Sequence, residues 1–75
     1  MRFELMEGGV SRGHFTTQDQ AESRAEQLAD DRGHTLKAWD RVFNTSSHAI
    51  CEDDDGAPVS VFTVRAVSEG KGARE

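Results

Sequence analysis

The spacing of apolar residues along this chain switches between a period of two and a period of three to four, and each switch marks an element. Phe3 and Leu5 alternate with Glu4 and Met6, and Gly8-Gly9 follows with the backbone freedom of a tight turn, so residues 3–15 read as a β-hairpin. A three-residue loop through Val10 sets Phe3 opposite Phe15 and Leu5 opposite Gly13, with both rings on one face, whereas a two-residue Gly-Gly loop scatters them. The spacing favours the longer loop.

Thr16-Thr17 opens a helix. Thr17 is placed to cap it, Gln20 follows three residues later to complete a capping box, and Asp19 suits the positive end of the helix dipole. Ala21, Ala25, Leu28 and Ala29 fall at i, i+4, i+7 and i+8, which makes one narrow apolar stripe reaching about Arg32, and Gly33 is positioned as a left-handed C-terminal cap. Three alanines in that stripe require a close neighbour, and a flat sheet suits them better than a second helix.

Residues 35–43 satisfy both periods. Leu36, Trp39 and Phe43 keep helical spacing, yet Lys37, Trp39, Arg41 and Phe43 also alternate with Leu36, Ala38, Asp40 and Val42. Gly33 just before and Asn44-Thr45-Ser46-Ser47 just after favour a strand. A short strand from His48 to Glu52, a turn through Asp53-Asp54-Asp55-Gly56-Ala57-Pro58, and a long β-rich run from Val59 to Val67 complete the pattern. The expected fold is α+β: an antiparallel sheet of about four to five strands in the order ββαβββ, with one amphipathic helix on one face. Residues 1–67 form the expected domain, and 68–75, with one Ala as its sole apolar side chain, form an expected disordered tail.

Size and charge narrow the function classes. A chain of 75 residues buries a small core, and its single cysteine, Cys51, excludes an internal disulfide, so metal binding or self-association are the remaining reinforcements. The net charge of −5 disfavours nucleic acid and anionic membranes as partners. Acids interrupt the apolar residues near the N-terminus, so neither a signal-peptide core nor a membrane span is expected, and a free thiol fits the cytoplasm. Seven Arg against two Lys fit a GC-rich coding sequence, hence an expected bacterial or phage origin.

Candidate chemistries each meet a physical objection. His48 and Cys51 at H-x-x-C suggest zinc, with His14 and His34 elsewhere, but residues three apart in a strand point to opposite faces. Aligning Gly56 with the glycine of an EF-hand puts Cys51, Val59 and Phe62 at ligand positions, so the Asp53–Asp55 run reads as a solvated turn. Cys51 as a nucleophile would sit among acids that disfavour its thiolate, and no phosphate loop, G-x-S-x-G or H-E-x-x-H is present. Arg12, Arg24, Arg41 and Arg65 with Trp39 could make a nucleic-acid face only if folding gathers them on one side. Neither a catalytic role nor a cofactor is therefore expected.

Two surfaces carry the functional expectation. Glu22, Glu26 and Asp30 repeat at i, i+4 on the polar side of the helix, where like charges repel, as a surface offered to a basic partner would. Trp39 and Phe43 oppose Leu36, Ala38 and Val42, while Val59 and Val61 alternate with Phe62 and Val64, so both sheet faces are apolar although one helix covers a single face. The expectation is a non-catalytic, acidic protein-interaction module. It pairs as a homodimer, or binds another protein, through a face centred on Trp39 and Phe43 with the last strand, and it acts as a phage or mobile-element accessory protein on a host factor. The alternatives are a DNA-mimicking inhibitor that uses the acidic helix, and a small metal- or nucleic-acid-binding domain.

Overall fold

Alternation in the first fifteen residues builds a two-stranded ribbon around Gly8, whose φ of +61° is the positive value a tight turn needs. A computed structural model describes residues 2–43 and 46–67. Strands β1 (Arg2–Glu7) and β2 (Val10–Phe15) pair antiparallel, with Phe3 opposite Phe15 and Leu5 opposite Gly13. That is the register the two rings favour, yet the loop is the short Gly8-Gly9 connection. A bulge reconciles the two, because Met6 already faces Ser11 and Arg12 is the extra residue.

Helix α1 (Gln18–Asp31) begins and ends on local chemistry. Thr17 Oγ1 accepts from the Gln20 amide at 3.1 Å, and the Gln20 side chain accepts from the Thr16 amide at 3.2 Å. At the other end Gly33 takes φ +72°, its amide donating to Asp30 and that of His34 to Ala29, which is the paired Schellman arrangement.

The remaining strands are β3 (Thr35–Leu36), β4 (Asp40–Phe43), β5 (Ser46–Glu52) and β6 (Pro58–Val67). They join the hairpin in one antiparallel sheet of order β2-β1-β6-β5, with β3 and β4 sharing the outer side of β5. The described residues thus form an α+β fold of six strands and one helix, ordered ββαββββ where ββαβββ was expected. The difference lies in the 35–43 segment. Leu36 faces Cys51 but Asp40 faces His48, so three residues, 37–39, stand against two of β5. An odd insertion reverses which residues point to which face.

The core lies between α1 and the sheet. Leu5, Phe62, Val64 and Cys51 meet Ala21, Ala25 and Ala29, all of them buried, with Phe3, Phe15, Leu28, Leu36 and Trp39 around the margin. Alanines on the helix let its backbone lie close over Phe62, the largest fully buried side chain. No helix among the described residues is long and apolar enough to cross a membrane. The expected tail, 68–75, lies outside the described residues.

Candidate functional site

The face of the sheet away from α1 is built by strand alternation. Leu5, Cys51, Phe62 and Val64 point under the helix, so their neighbours Glu4, Met6, Ile50, Val61 and Arg65 point away from it. Ile50 and Val61 are direct cross-strand partners, 44% and 43% exposed, and Val59 beside them is 46% exposed. Val61 therefore stands where the alternation put it, on the uncovered face, whereas Val59 is the extra residue of a bulge, between Ser60 opposite Cys51 and Pro58 opposite Glu52.

Trp39 does not. The parity switch at 37–39 and its position over the helix pack it, half-buried, against the core, with its indole Nε1 donating to Glu26 Oε2 at 3.2 Å. The expected centre of the second face thus belongs to the covered face, because an uninterrupted alternation does not survive the bulge. Phe43 ends β4 at a position paired with Ser46, and its side chain lies outside what the structure describes.

Beyond the aliphatic residues, the open face carries charge in matched pairs. Glu4 accepts from Arg65 at 3.0 Å and lies 3.5 Å from His14 Nε2; His48 Nε2 is 3.4 Å from Asp40, and Lys37 is 3.8 Å from Glu52. The Arg65 and Ser11 hydrogen bonds hold the Glu4 carboxyl below its ordinary range. With Arg2, and with histidines counted as neutral, this face holds three cationic groups against three acidic ones. The helix side and the Asp53–Asp55 turn hold four arginines against nine acids, which accounts for the whole formal charge of −5, because residues 68–75 carry two of each sign. A neutral face therefore backs a helix side with four arginines against six acids, and the three remaining acids lie in the turn between β5 and β6.

The acidic helix ladder is also rearranged. Glu22 is 8% exposed and turns toward the sheet, because it falls within the stripe formed by Gln18, Ala21, Ala25 and Ala29. There it accepts from Arg41 Nε at 3.1 Å, Arg41 Nη2 at 2.9 Å and the Ser47 hydroxyl at 2.9 Å, while Gln18 Nε2 donates to Ser47 at 3.2 Å. Arg41 also reaches Asp19 at 2.8 Å, and these two carboxylates raise its pKa further above the ordinary arginine value. Sequence reasoning missed this network, although Glu22 adjoins Ala21 and lies three residues before Ala25. Glu26 is exposed and holds Trp39; Asp30 is exposed.

At the opposite end of α1, Glu7 receives both terminal nitrogens of Arg32, at 2.6 and 3.0 Å, and Arg12 Nε at 3.0 Å. The Arg32 hydrogen bonds, against the opposing cost of burial, pull its carboxyl down to about 2. This cluster ties the helix end to the hairpin.

The other candidate groups stay apart. Cys51 is buried under the helix and His48 points to the open face, so the H-x-x-C pair does not converge. Among the described residues, no three of His, Cys, Asp and Glu gather as a metal site would require. Asp53 Oδ1 accepts from the Asp55 and Ala57 amides at 2.9 and 3.0 Å, so this carboxylate closes its own turn. Arg65 lies on the open face while Arg41 grips the helix and Arg24 donates to Gln27, so the arginines do not share a face. A shallow, open depression of about 580 Å³ beside α1, lined by Phe15, Asp19, Gln20, Ser23, Arg24 and Gln27, gathers no nucleophile with a base. Comparison with known proteins brings no match: no family model, no curated protein and no solved structure corresponds to this chain.

Proposed function

We propose that this protein is a non-catalytic interaction module that pairs with a second copy of itself through the open face of its sheet. The observation that carries this reading is the exposed Ile50–Val61 cross-strand pair, on a face whose charges cancel within a molecule of net charge −5. Two acidic bodies repel wherever their helix sides meet. They can meet without that cost where each is neutral and apolar, with the acidic helices turned outward.

Both sheet edges favour a face-to-face arrangement over an edge-to-edge one. The β2 edge is broken by the bulge at Arg12, and the other edge by the insertion at 37–39 and a second shift between Arg41 and Phe43. Five strand positions about 4.8 Å apart and about six residues long offer roughly 500 Å² per copy. The pair would bury about 1,000 Å², the lower end of specific interfaces, so association in the range of about 1–100 μM is expected. Such a pair leaves the exposed Asp30 and Asp31 turned outward for a basic host protein, as an accessory protein of a phage or mobile element would use them. A DNA-mimicking role is less well supported, because Glu22 is turned inward and Glu26 is engaged by Trp39.

Sedimentation velocity over a concentration series tests the pairing. The wild-type chain should move from monomer to dimer, more readily as salt screens its like charges. Ile50→Glu with Val61→Glu should stay monomeric while keeping the wild-type circular dichroism. A wild-type chain still monomeric at several hundred micromolar would overturn the reading.

A further inference from the structure

Two of the three histidines stand on the open face of the sheet. His48 lies on β5 next to Ile50 on that face, directly opposite Thr63 of β6, with its Nε2 3.4 Å from Asp40 of β4. His14 lies on β2 at the rim, its Nε2 3.5 Å from Glu4 of β1, whose carboxylate also accepts from Arg65 of β6. Arg2 on β1 and the Lys37–Glu52 pair complete the charged groups of the face. The third histidine, His34, is tied instead to the C-terminal end of α1 by its amide bond to Ala29.

We infer that protonation of the two face histidines, His48 above all, separates paired copies of this chain, so that the association is controlled by pH. The inference rests on the self-pairing reading and adds its regulation. Histidine is the side chain whose charge changes between about pH 5 and 8. While both imidazoles are neutral, the cationic and acidic groups of the face cancel; each proton taken up adds one positive charge, so both copies bring the same sign to the contact. Burial acts in the same direction, because His48 adjoins the Ile50–Val61 pair and a charged imidazole there loses more hydration than a neutral one. Asp40 and Glu4 do not reverse this. Each carboxylate stands beside its histidine in the free copy as well as in the pair, so it does not distinguish the two states. Protonation also moderates the overall charge of −5, but the acidic helices lie a further layer of about 10 Å behind each sheet, beyond a Debye length of about 8 Å at physiological salt. The contact therefore sets the sign: the pair binds fewer protons than two free copies, and pairing weakens as pH falls.

Sedimentation velocity in about 0.15 M salt, at about pH 7.5 and about pH 5.5, tests this, with circular dichroism recorded at both. The dissociation constant of the wild-type chain should rise at least about 10-fold at the lower pH. Within each protein the ratio of the two constants is the readout: His48→Gln should remove most of the pH dependence, and His48→Gln with His14→Asn all of it. For a variant too weak to pair, the imidazole signals of the wild type in proton nuclear magnetic resonance decide, since the titration midpoint of His48 should fall as the protein is concentrated while that of His34 stays fixed. A midpoint independent of concentration would overturn the switch. So would equal or tighter wild-type pairing at the lower pH, which leaves the self-pairing reading intact, whereas a wild-type chain monomeric at both values overturns the two together. Full pH dependence in the doubly substituted chain would assign the effect to other groups and reject the histidines, and loss of the folded spectrum at the lower pH would replace the switch by unfolding.

Discussion

The two faces of this sheet hold similar aliphatic side chains in opposite situations. Under the helix, Phe62, Val64 and Leu5 are fully buried; one residue away along the same strands, Val61 and its neighbour Ile50 are more than two-fifths exposed. The covered face also confines its polar groups, with Ser47 and Glu22 buried in a hydrogen-bonded corner, while the open face keeps its ion pairs at the surface. Stability and association thus separate by face: substitutions under the helix act on folding, and those on the other side act on what the folded chain can meet.

The largest effect should break this symmetry outright. Phe62→Ala removes the biggest buried side chain and should cost about 3–5 kcal/mol in urea unfolding of the monomer, against about 0.5 kcal/mol or less for Val61→Ala. Equal losses would mean that the open face is covered in solution under the same conditions. Ala25→Leu should cost up to about 3 kcal/mol, because the helix backbone sits too close to the sheet for a longer side chain; a neutral result would place the helix farther away.

Glu7 sharpens the comparison at the rim of the covered face. Its folded pKa of about 2 lies below the ordinary 4.5, so its ionised form stabilises the fold fully above about 4.5 and that contribution is lost as pH falls toward 2. Glu7→Gln should therefore lose about 2 kcal/mol at pH 7, allowing for partly exposed arginines, and only a small remainder of that at pH 2, where the folded carboxyl is half protonated. A difference constant with pH would remove the ion pair from the account. A smaller loss than at Glu7 is expected of Ser47→Ala, about 1 kcal/mol, since Gln18 and Glu22 each lose a buried partner. Thermal unfolding with Ser47→Thr as the control checks it.

Much of the scaffold was legible because it is written in short-range chemistry. The Thr17 cap, the Gln20 return bond and the Gly33 cap join residues at most five apart, so sequence spacing alone locates them. The Phe3–Phe15 register followed from matching two rings across a turn. The turn itself was misjudged, since a bulge at Arg12 achieves the same register with a shorter loop. On the sheet, the outward position of Val61 was legible from alternation, while Val59 at a bulge and Trp39 after the 37–39 insertion were not.

The sequence by itself determined the helix and its ends, the alternation of the long strands, and the presence of more apolar strand positions than one helix can cover. Only the tertiary structure decided that 35–43 carries an extra residue, that Glu22 turns inward, and that the open face of the sheet carries none of the net negative charge. The reason is physical. A bulge, like the direction of an amphipathic residue near a stripe, is set by what waits across the gap, and here Arg41, Ser47 and the helix carboxylates meet only once the sheet has closed beneath the helix.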